Sequence, residues 1–262
     1  MTIKCKICRS NVSEFSRVKL LRKYLVSFYK CDTCGFVFTE KPYWFKEAYR
    51  DSINITDTGL VARNLNFIRL TRLIIMLCFD SNARFLDYGG GYGLFVRLMR
   101  DAGFDFYWYD RYSQNLLSRG FEYSTKHIPY EMVTAFEVFE HMKNPMEYFR
   151  QILNYSDHIL FSTFLLPKSN PKPGEWWYYG LEHGQHISFY SLKTLMVIAK
   201  KMNRYLYSNN KNIHLLSNKN NLGKTFVKLI SSKFVYLPLG TIARKKSLTK
   251  RDSILLRDSK ML

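Results

Sequence analysis

The sequence has no long hydrophobic run. Its longest candidate, Leu73 to Phe79, falls far short of the ~20 apolar residues that a bilayer span requires. No stretch of signal-peptide type opens it, which points to the cytoplasm, where thiols stay reduced. Cysteine is scarce, five in 262 residues, and in that compartment paired cysteines suggest a metal rather than a disulfide. Acids are scarce as well: 21 Asp and Glu stand against 40 Lys and Arg, for a net charge of +19. After Glu182 the only acids are Asp252 and Asp258, so the excess sits in the last third and suggests an anionic partner. What is abundant is aromatic side chain, 16% of residues beside an ordinary 47% hydrophobic content, which marks a globular chain able to bury a core.

Four of the five cysteines fall in two knuckles, Cys5-x-x-Cys8 and Cys31-x-x-Cys34, separated by 22 residues. Two such knuckles supply four thiolates, the donor set of a closed, tetrahedral, structural zinc site. Arg17 to Tyr29 between them can form a hairpin, so a small zinc-ribbon-like module is expected over residues 1–40. Four thiolates leave no position open for water, and the zinc is assigned no catalysis.

The stretch that organises the rest is Phe85-Leu86-Asp87-Tyr88-Gly89-Gly90-Gly91-Tyr92-Gly93-Leu94-Phe95. A short apolar strand ends at an acid, glycines alternate through Gly89, Gly91 and Gly93, and Leu94, Phe95, Leu98 and Met99 then recur at helical spacing. Strand, glycine turn and helix form the first unit of a nucleotide-binding α/β domain. Phe104 to Tyr109 reads as the next strand, ending at Asp110, where an acid about 20 residues past the glycines is placed to bond a ribose diol. Dinucleotide and S-adenosylmethionine sites share that device. An acid just before the glycines suits a cofactor with an ammonium and a sulfonium, and Asp87-x-Gly89-x-Gly91-x-Gly93 resembles motif I of class I S-adenosylmethionine-dependent methyltransferases.

Strand and helix patterns alternate onward. A helix is expected from Leu65 to Leu77, a short one from Ser113 to Arg119, and a third opening at Asn144-Pro145. Strands are expected at Phe121–Tyr123, from Met132, at His158–Leu165, at Arg204–Tyr207 and at Ile213–Leu216. The fold class is therefore α/β: a Rossmann-like, mostly parallel, seven-stranded sheet with helices on both faces, plus the N-terminal module. Glu137-Val138-Phe139-Glu140-His141-Met142-x-x-Pro145 resembles the fourth-strand motif of the same superfamily. The expected division is the zinc module over 1–40, a connector and leading helix over 41–80, a class I methyltransferase core over 81–217 and a basic extension over 218–262.

Pro167 to Tyr190 is long for a connection and rich in aromatics and histidine, as functional loops often are. Gly184-Gln185-His186-Ile187-Ser188-Phe189-Tyr190-Ser191 resembles the His-Glu-His-x-x-Tyr-Phe-Ser stretch of bacterial sugar C-methyltransferases, which also carry an N-terminal zinc module. Gly184 and Gln185 replace the first histidine and the glutamate, leaving His186 as the ionisable match. A lone histidine suits an incipient hydroxyl better than a carbon acid. The resemblances imply S-adenosylmethionine as cofactor and O-methylation of a sugar nucleotide or surface-polysaccharide precursor. His186 is then the general base, with His183 as its substitute. Asp87, Tyr88, Gly89, Gly91, Gly93, Asp110 and Glu137 would hold the cofactor, and Glu140, His141, Trp177, Tyr179 and Tyr190 the acceptor. A sugar C-methyltransferase, an NAD-dependent oxidoreductase and a nucleic-acid-binding module built on zinc and the basic tail remain as alternatives, the last disfavoured by the loop. The tail, with Leu222, Phe226, Leu229 and Ile230 among lysines, also admits contact with an anionic membrane surface.

Overall fold

The computed structural model describes residues 3–50, 54, 57–223, 226–227 and 231–259. Its first element is the expected hairpin, β1 (Ser13–Leu20) against β2 (Tyr24–Lys30), with Leu20 opposite Tyr24. The turn between them holds Leu21 and Arg22 at φ 53° and 57°, a region side chains disfavour. A tertiary bond, Leu21 N to Leu181 O at 2.8 Å, supports that turn from the distant loop. Then follow β3 (Val37–Thr39), the single turn α1 (Phe45–Ala48) and the long α2 (Leu60–Cys78).

The core begins with β4 (Arg84–Tyr88), the glycine turn and α3 (Leu94–Asp101). Next come β5 (Asp105–Tyr109), β6 (Met132–Phe136), α4 (Pro145–Leu153) and β7 (Ile159–Ser162). After the long loop follow β8 (Ser188–Phe189), α5 (Leu192–Lys201), β9 (Tyr205–Ser208) and β10 (Ile213–Ser217). The main sheet runs β5-β4-β6-β7-β10-β9, its first four strands parallel and β10 antiparallel to both β7 and β9. Strand periodicity sorts the core into two layers. Phe85, Met132 and Leu160 face α2 and α3, while Leu86, Val133 and Ile159 face α4 and α5. Each such side chain contributes about 1.5–3 kcal/mol when fully buried.

Two expectations fail here. The described sheet has six strands, not seven, because Phe121–Tyr123 makes only a bridge to Trp108. Ser113–Arg119 is not a helix but a string of turns. There Asp110 Oδ1 accepts from Tyr112 N (2.7 Å) and Ser113 N (2.9 Å), and Asn115 Oδ1 accepts from Ser118 N (3.0 Å). Short polar side chains thus outcompete the helical ladder for the backbone donors.

A second sheet, β1-β2-β3-β8, joins the N-terminal hairpin to the strand that follows the histidine loop. Val37 pairs with Phe189 and Phe38 with Ser188. The first 40 residues are therefore hydrogen-bonded to the segment expected to meet the acceptor.

The basic C-terminal segment packs on the core through α6 (Lys233–Ile242) and α7 (Thr249–Ser259). Asp252 is 2% exposed and takes bonds from Arg100 (2.8 Å) and Arg97 (2.9 Å), so one of the two late acids anchors α7. Of the expected amphipathic turn, Leu222, Phe226 and Val227 join the core, while Lys224, Lys228, Leu229 and Ile230 lie outside the described residues.

Candidate active site

A cavity of about 1010 Å³ opens at the carboxyl ends of β4, β5 and β6, where ligands sit in open α/β sheets. Asp87, Tyr88, Gly89, Gly91, Asp110 and Glu137 all line it. Gly93 does not. It sits at φ 85° as the N-cap of α3, where a Cβ would meet Ser118 Oγ at 2.4 Å, so its role is to close the turn. Gly90, absent from the sequence expectation, is equally constrained: a Cβ would stand 2.6 Å from Trp108 Cδ1. The turn is stitched to β5 by Gly91 N to Asp110 Oδ2 (2.9 Å) and Trp108 Nε1 to Gly91 O (2.9 Å).

Asp87 is 4% exposed and accepts from Thr134 Oγ1 at 2.6 Å. Burial pushes its carboxyl up to about 7. A buried acid with one hydroxyl partner favours a cation beside it, which fits a cofactor that carries an ammonium group. Glu137 is held at φ 54°, strained for a non-glycine residue. Ser162 secures it twice, accepting from Glu137 N (2.8 Å) and donating to Oε1 (2.6 Å). Burial raises its pKa too.

Across the cavity stand His141, Trp177, His183 and His186. The two loop histidines differ in a way the sequence does not reveal. Gln185 N donates to His183 Nδ1 (3.1 Å), which places the neutral ring's proton on Nε2. That nitrogen packs over Gly180, where a Cβ would stand 2.1 Å away. His186 has the opposite tautomer: Nδ1 donates to the Tyr178 carbonyl at 2.6 Å, leaving an Nε2 lone pair. Burial, with His141 and His183 nearby, holds its pKa well below the ordinary value, so it is neutral throughout the neutral range.

Glu140 lies fully buried behind this wall, with Oε1 accepting from Tyr178 Oη at 2.7 Å. Burial and the charge of Glu137 raise its pKa well above normal. His141 Nδ1 contacts Tyr49 Oη (2.8 Å) and the Gln185 carbonyl (3.2 Å), and burial lowers its pKa to about 4. Tyr179 and Tyr190 are in the packing instead of the cavity lining, bonded to the Pro171 and Phe139 carbonyls. The sequence missed Tyr178, Tyr49 and Gln185 as partners of the site, and also Arg63 on α2, which pairs bidentately with Asp57 at the cavity (2.7 and 2.6 Å). No local motif marks them.

At the N-terminus, the sulfurs of Cys5, Cys8, Cys31 and Cys34 lie within 4.8 Å of one another, with nearest pairs at 3.4 and 3.5 Å. A tetrahedron with Zn–S bonds near 2.3 Å has edges of about 3.8 Å, so the four thiols fit one metal ion. The knuckle is tied to the core: Ser191 Oγ and Thr194 Oγ1 donate to the Cys34 carbonyl at 3.0 and 2.9 Å.

The topology is that of a Rossmann-like enzyme whose ligand cavity lies at the carboxyl edge of a mostly parallel sheet. The methyltransferase-domain family matches residues 59–208, more than half of the chain. The chain belongs to that family and is an S-adenosylmethionine-dependent methyltransferase. No curated protein matches it significantly in sequence. Among solved structures it is similar to the plantazolicin methyltransferase BpumL in complex with SAH, at 11% identity, 68% coverage of this chain, 93% of that one and TM-score 0.48. TnmH aligns at 13% identity, 68% and 62% coverage and TM-score 0.47. CalO1, a methyltransferase of calicheamicin biosynthesis in its SAH-bound form, aligns at 13% identity, 68% and 60% coverage and TM-score 0.41. No helix among the described residues is long and apolar enough to cross a membrane.

Proposed function

We propose that the chain transfers the methyl group of S-adenosylmethionine to a hydroxyl of a small polar acceptor, a sugar nucleotide or surface-polysaccharide precursor. The observation that carries this reading is the wall of the cavity opposite the glycine turn. There His186 offers a neutral lone pair, backed by His141 and buried Glu140. When bound, the cofactor supplies an electrophilic methyl group on a sulfonium. Asp87 and Asp110 hold and orient its polar ends, and Gly89 and Gly91 let it approach the backbone. His186, beside His141 and in front of buried Glu140, receives the acceptor hydroxyl and eases departure of its proton as the new bond forms. A neutral, burial-weakened imidazole is too feeble for a carbon acid, which favours oxygen over carbon as the nucleophile. Its substitute His183 carries its proton on Nε2 and has its Nδ1 lone pair taken by the Gln185 N–H, so His186 is preferred.

The rim supports the acceptor class. Trp177 and Tyr112, each 69% exposed, present aromatic faces, and the exposed cations Lys46, Arg111 and Lys143 line the same cavity and suit a phosphate. Incubation with labelled S-adenosylmethionine and a panel of sugar nucleotides, with product hydrolysis to locate the label, tests the proposal. Label on carbon, or transfer only to non-sugar acceptors, would overturn it.

We further assign one structural zinc to Cys5, Cys8, Cys31 and Cys34, in a module spanning 1–40 ahead of the connector, core and basic extension. Metal analysis of protein purified without chelator should give one zinc per chain. A metal-free preparation with an intact N-terminal sheet would refute this.

A further inference from the structure

Glu140, His141 and His186 each offer one ligand atom, and these atoms lie within 4.8 Å of one another. Glu140 Oε2 has no hydrogen-bond partner although the residue is 0% exposed. A carboxylate oxygen sealed from water with no donor is costly unless a cation or a proton sits beside it. His186 spends Nδ1–H on the Tyr178 carbonyl, which leaves Nε2 as its free donor atom. His141 Nδ1 lies 2.8 Å from Tyr49 Oη and 3.2 Å from the Gln185 carbonyl; with its proton on Nδ1 shared between these two oxygens, Nε2 is free. Backbone carbonyls that fix the far nitrogen of each imidazole, and a tyrosine hydroxyl that orients the carboxylate, are the usual outer supports of metal ligands.

We propose that Glu140, His141 and His186 bind one divalent transition-metal ion, distinct from the ion of the four cysteines, at the wall of the cavity where the acceptor hydroxyl sits. The inference rests on reading this cavity as the site of methyl transfer and names how its cluster activates the acceptor. Three protein ligands leave coordination positions open, as catalytic sites do and four-thiolate sites do not. Two imidazoles and a carboxylate accept manganese, iron(II) or zinc, whereas thiolates select zinc. A tetrahedral site with bonds near 2.1 Å has edges of about 3.4 Å, so side-chain adjustments of about an ångström close the triad on an ion.

Such an ion polarises the acceptor O–H, and His186 then serves as a ligand instead of taking the proton itself. The hydroxyl oxygen uses a lone pair to form the C–O bond as the C–S bond breaks. The bonding pair stays on sulfur, and the hydroxyl proton leaves to water. One alcohol and one sulfonium thus give one ether, one thioether and one proton.

The test is a manganese(II) titration of the full chain followed by electron paramagnetic resonance, because manganese does not compete for the thiolate site. Calorimetry with S-adenosylhomocysteine is run on the same samples. We expect one manganese per chain, about tenfold or more weaker binding in Glu140→Gln and in His186→Gln, and retained binding in His183→Gln. Turnover abolished by chelator should return with manganese alone. No manganese bound by wild-type protein, or binding indifferent to both substitutions, overturns the metal site. If S-adenosylhomocysteine still binds in that case, the methyl-transfer reading stands and His186 is left as the base. If it does not bind at all, the cavity has been misread. Cofactor binding in each variant also shows that it is folded, and the two substitutions lie on different segments, so a collapse of one leaves the other informative.

Discussion

The two walls of the cavity are built in opposite ways. The wall proposed for the cofactor comes from one strand–turn–helix unit and the tip of the neighbouring strand, residues 87–93 and Asp110, and its hydrogen bonds run between adjacent parallel strands. The wall proposed for the acceptor is assembled from α1, the turn after β6 and the loop at 176–186, which meet through Tyr49–His141, Tyr178–Glu140 and Gln185–Ala48 contacts. Behind it stands the cysteine module, paired to β8. A local wall is set by short-range chemistry and survives distant change. A composite wall is only as firm as the sheet that props it.

That difference should show most strongly in catalysis. His186→Ala should lower turnover by about 10²–10⁴ while leaving affinity for S-adenosylhomocysteine nearly intact. Equal loss of both would mean that the walls are not independent. Because burial depresses the His186 pKa, its ionisation should not limit activity near neutrality, and the rise expected of an ordinary histidine moves to lower pH. A clear limb near 6.5 in the rate of the wild-type enzyme, removed by His186→Gln, would contradict its burial.

Next in size is Asp110→Ala. It should weaken S-adenosylhomocysteine by about 1.5–3 kcal/mol if the ribose bond is charged and buried, with acceptor KM unchanged. Cys31→Ser should do the reverse. Loss of the proposed zinc should loosen β3, which pairs with β8, so acceptor KM should rise several-fold while cofactor affinity persists. A Cys31→Ser enzyme with normal acceptor kinetics would break the link between module and loop.

Asp87 gives a subtler test. Its folded pKa, about 7, lies above the ordinary 3.8, so the cofactor-free native state holds its proton more tightly than the unfolded chain. Its contribution to stability is therefore complete below about 4 and is lost as pH rises to about 7. Binding a cationic ligand requires the ionised form, so cofactor affinity should rise with pH through about 7 and flatten above it. Calorimetry from pH 6 to 8 should find this slope in wild type and not in Asp87→Asn. The smallest effect belongs to the rim: Trp177→Ala should raise acceptor KM by less than about tenfold, since its side chain is largely exposed.

Most of the glycine-turn side of the cavity was legible because its signal is contiguous. Asp87, the glycines and Asp110 sit at spacings dictated by strand, turn and helix geometry, and the cysteine knuckles announce themselves similarly. The errors fell where side chains compete with backbone, as at Ser113–Arg119, or where a lone bridge mimics a strand, as at Phe121–Tyr123. Tyr179 and Tyr190 looked like acceptor contacts because they lie in an aromatic loop, yet a residue's neighbours in sequence do not say which face it turns inward.

By itself the sequence determined the parallel core, its glycine turn and the grouping of four cysteines, since each follows from periodicity or spacing within a few tens of residues. Only the tertiary structure decided which loop histidine carries a free lone pair. The proton position on His183 and His186 depends on a backbone N–H in one case and a backbone carbonyl in the other. It alone also brought Glu140 under His186, 46 residues on in the chain, and paired the cysteine module with β8 just after the histidine loop. Burial and hydrogen-bond direction are properties of packed neighbours, and packing joins residues that sequence keeps apart.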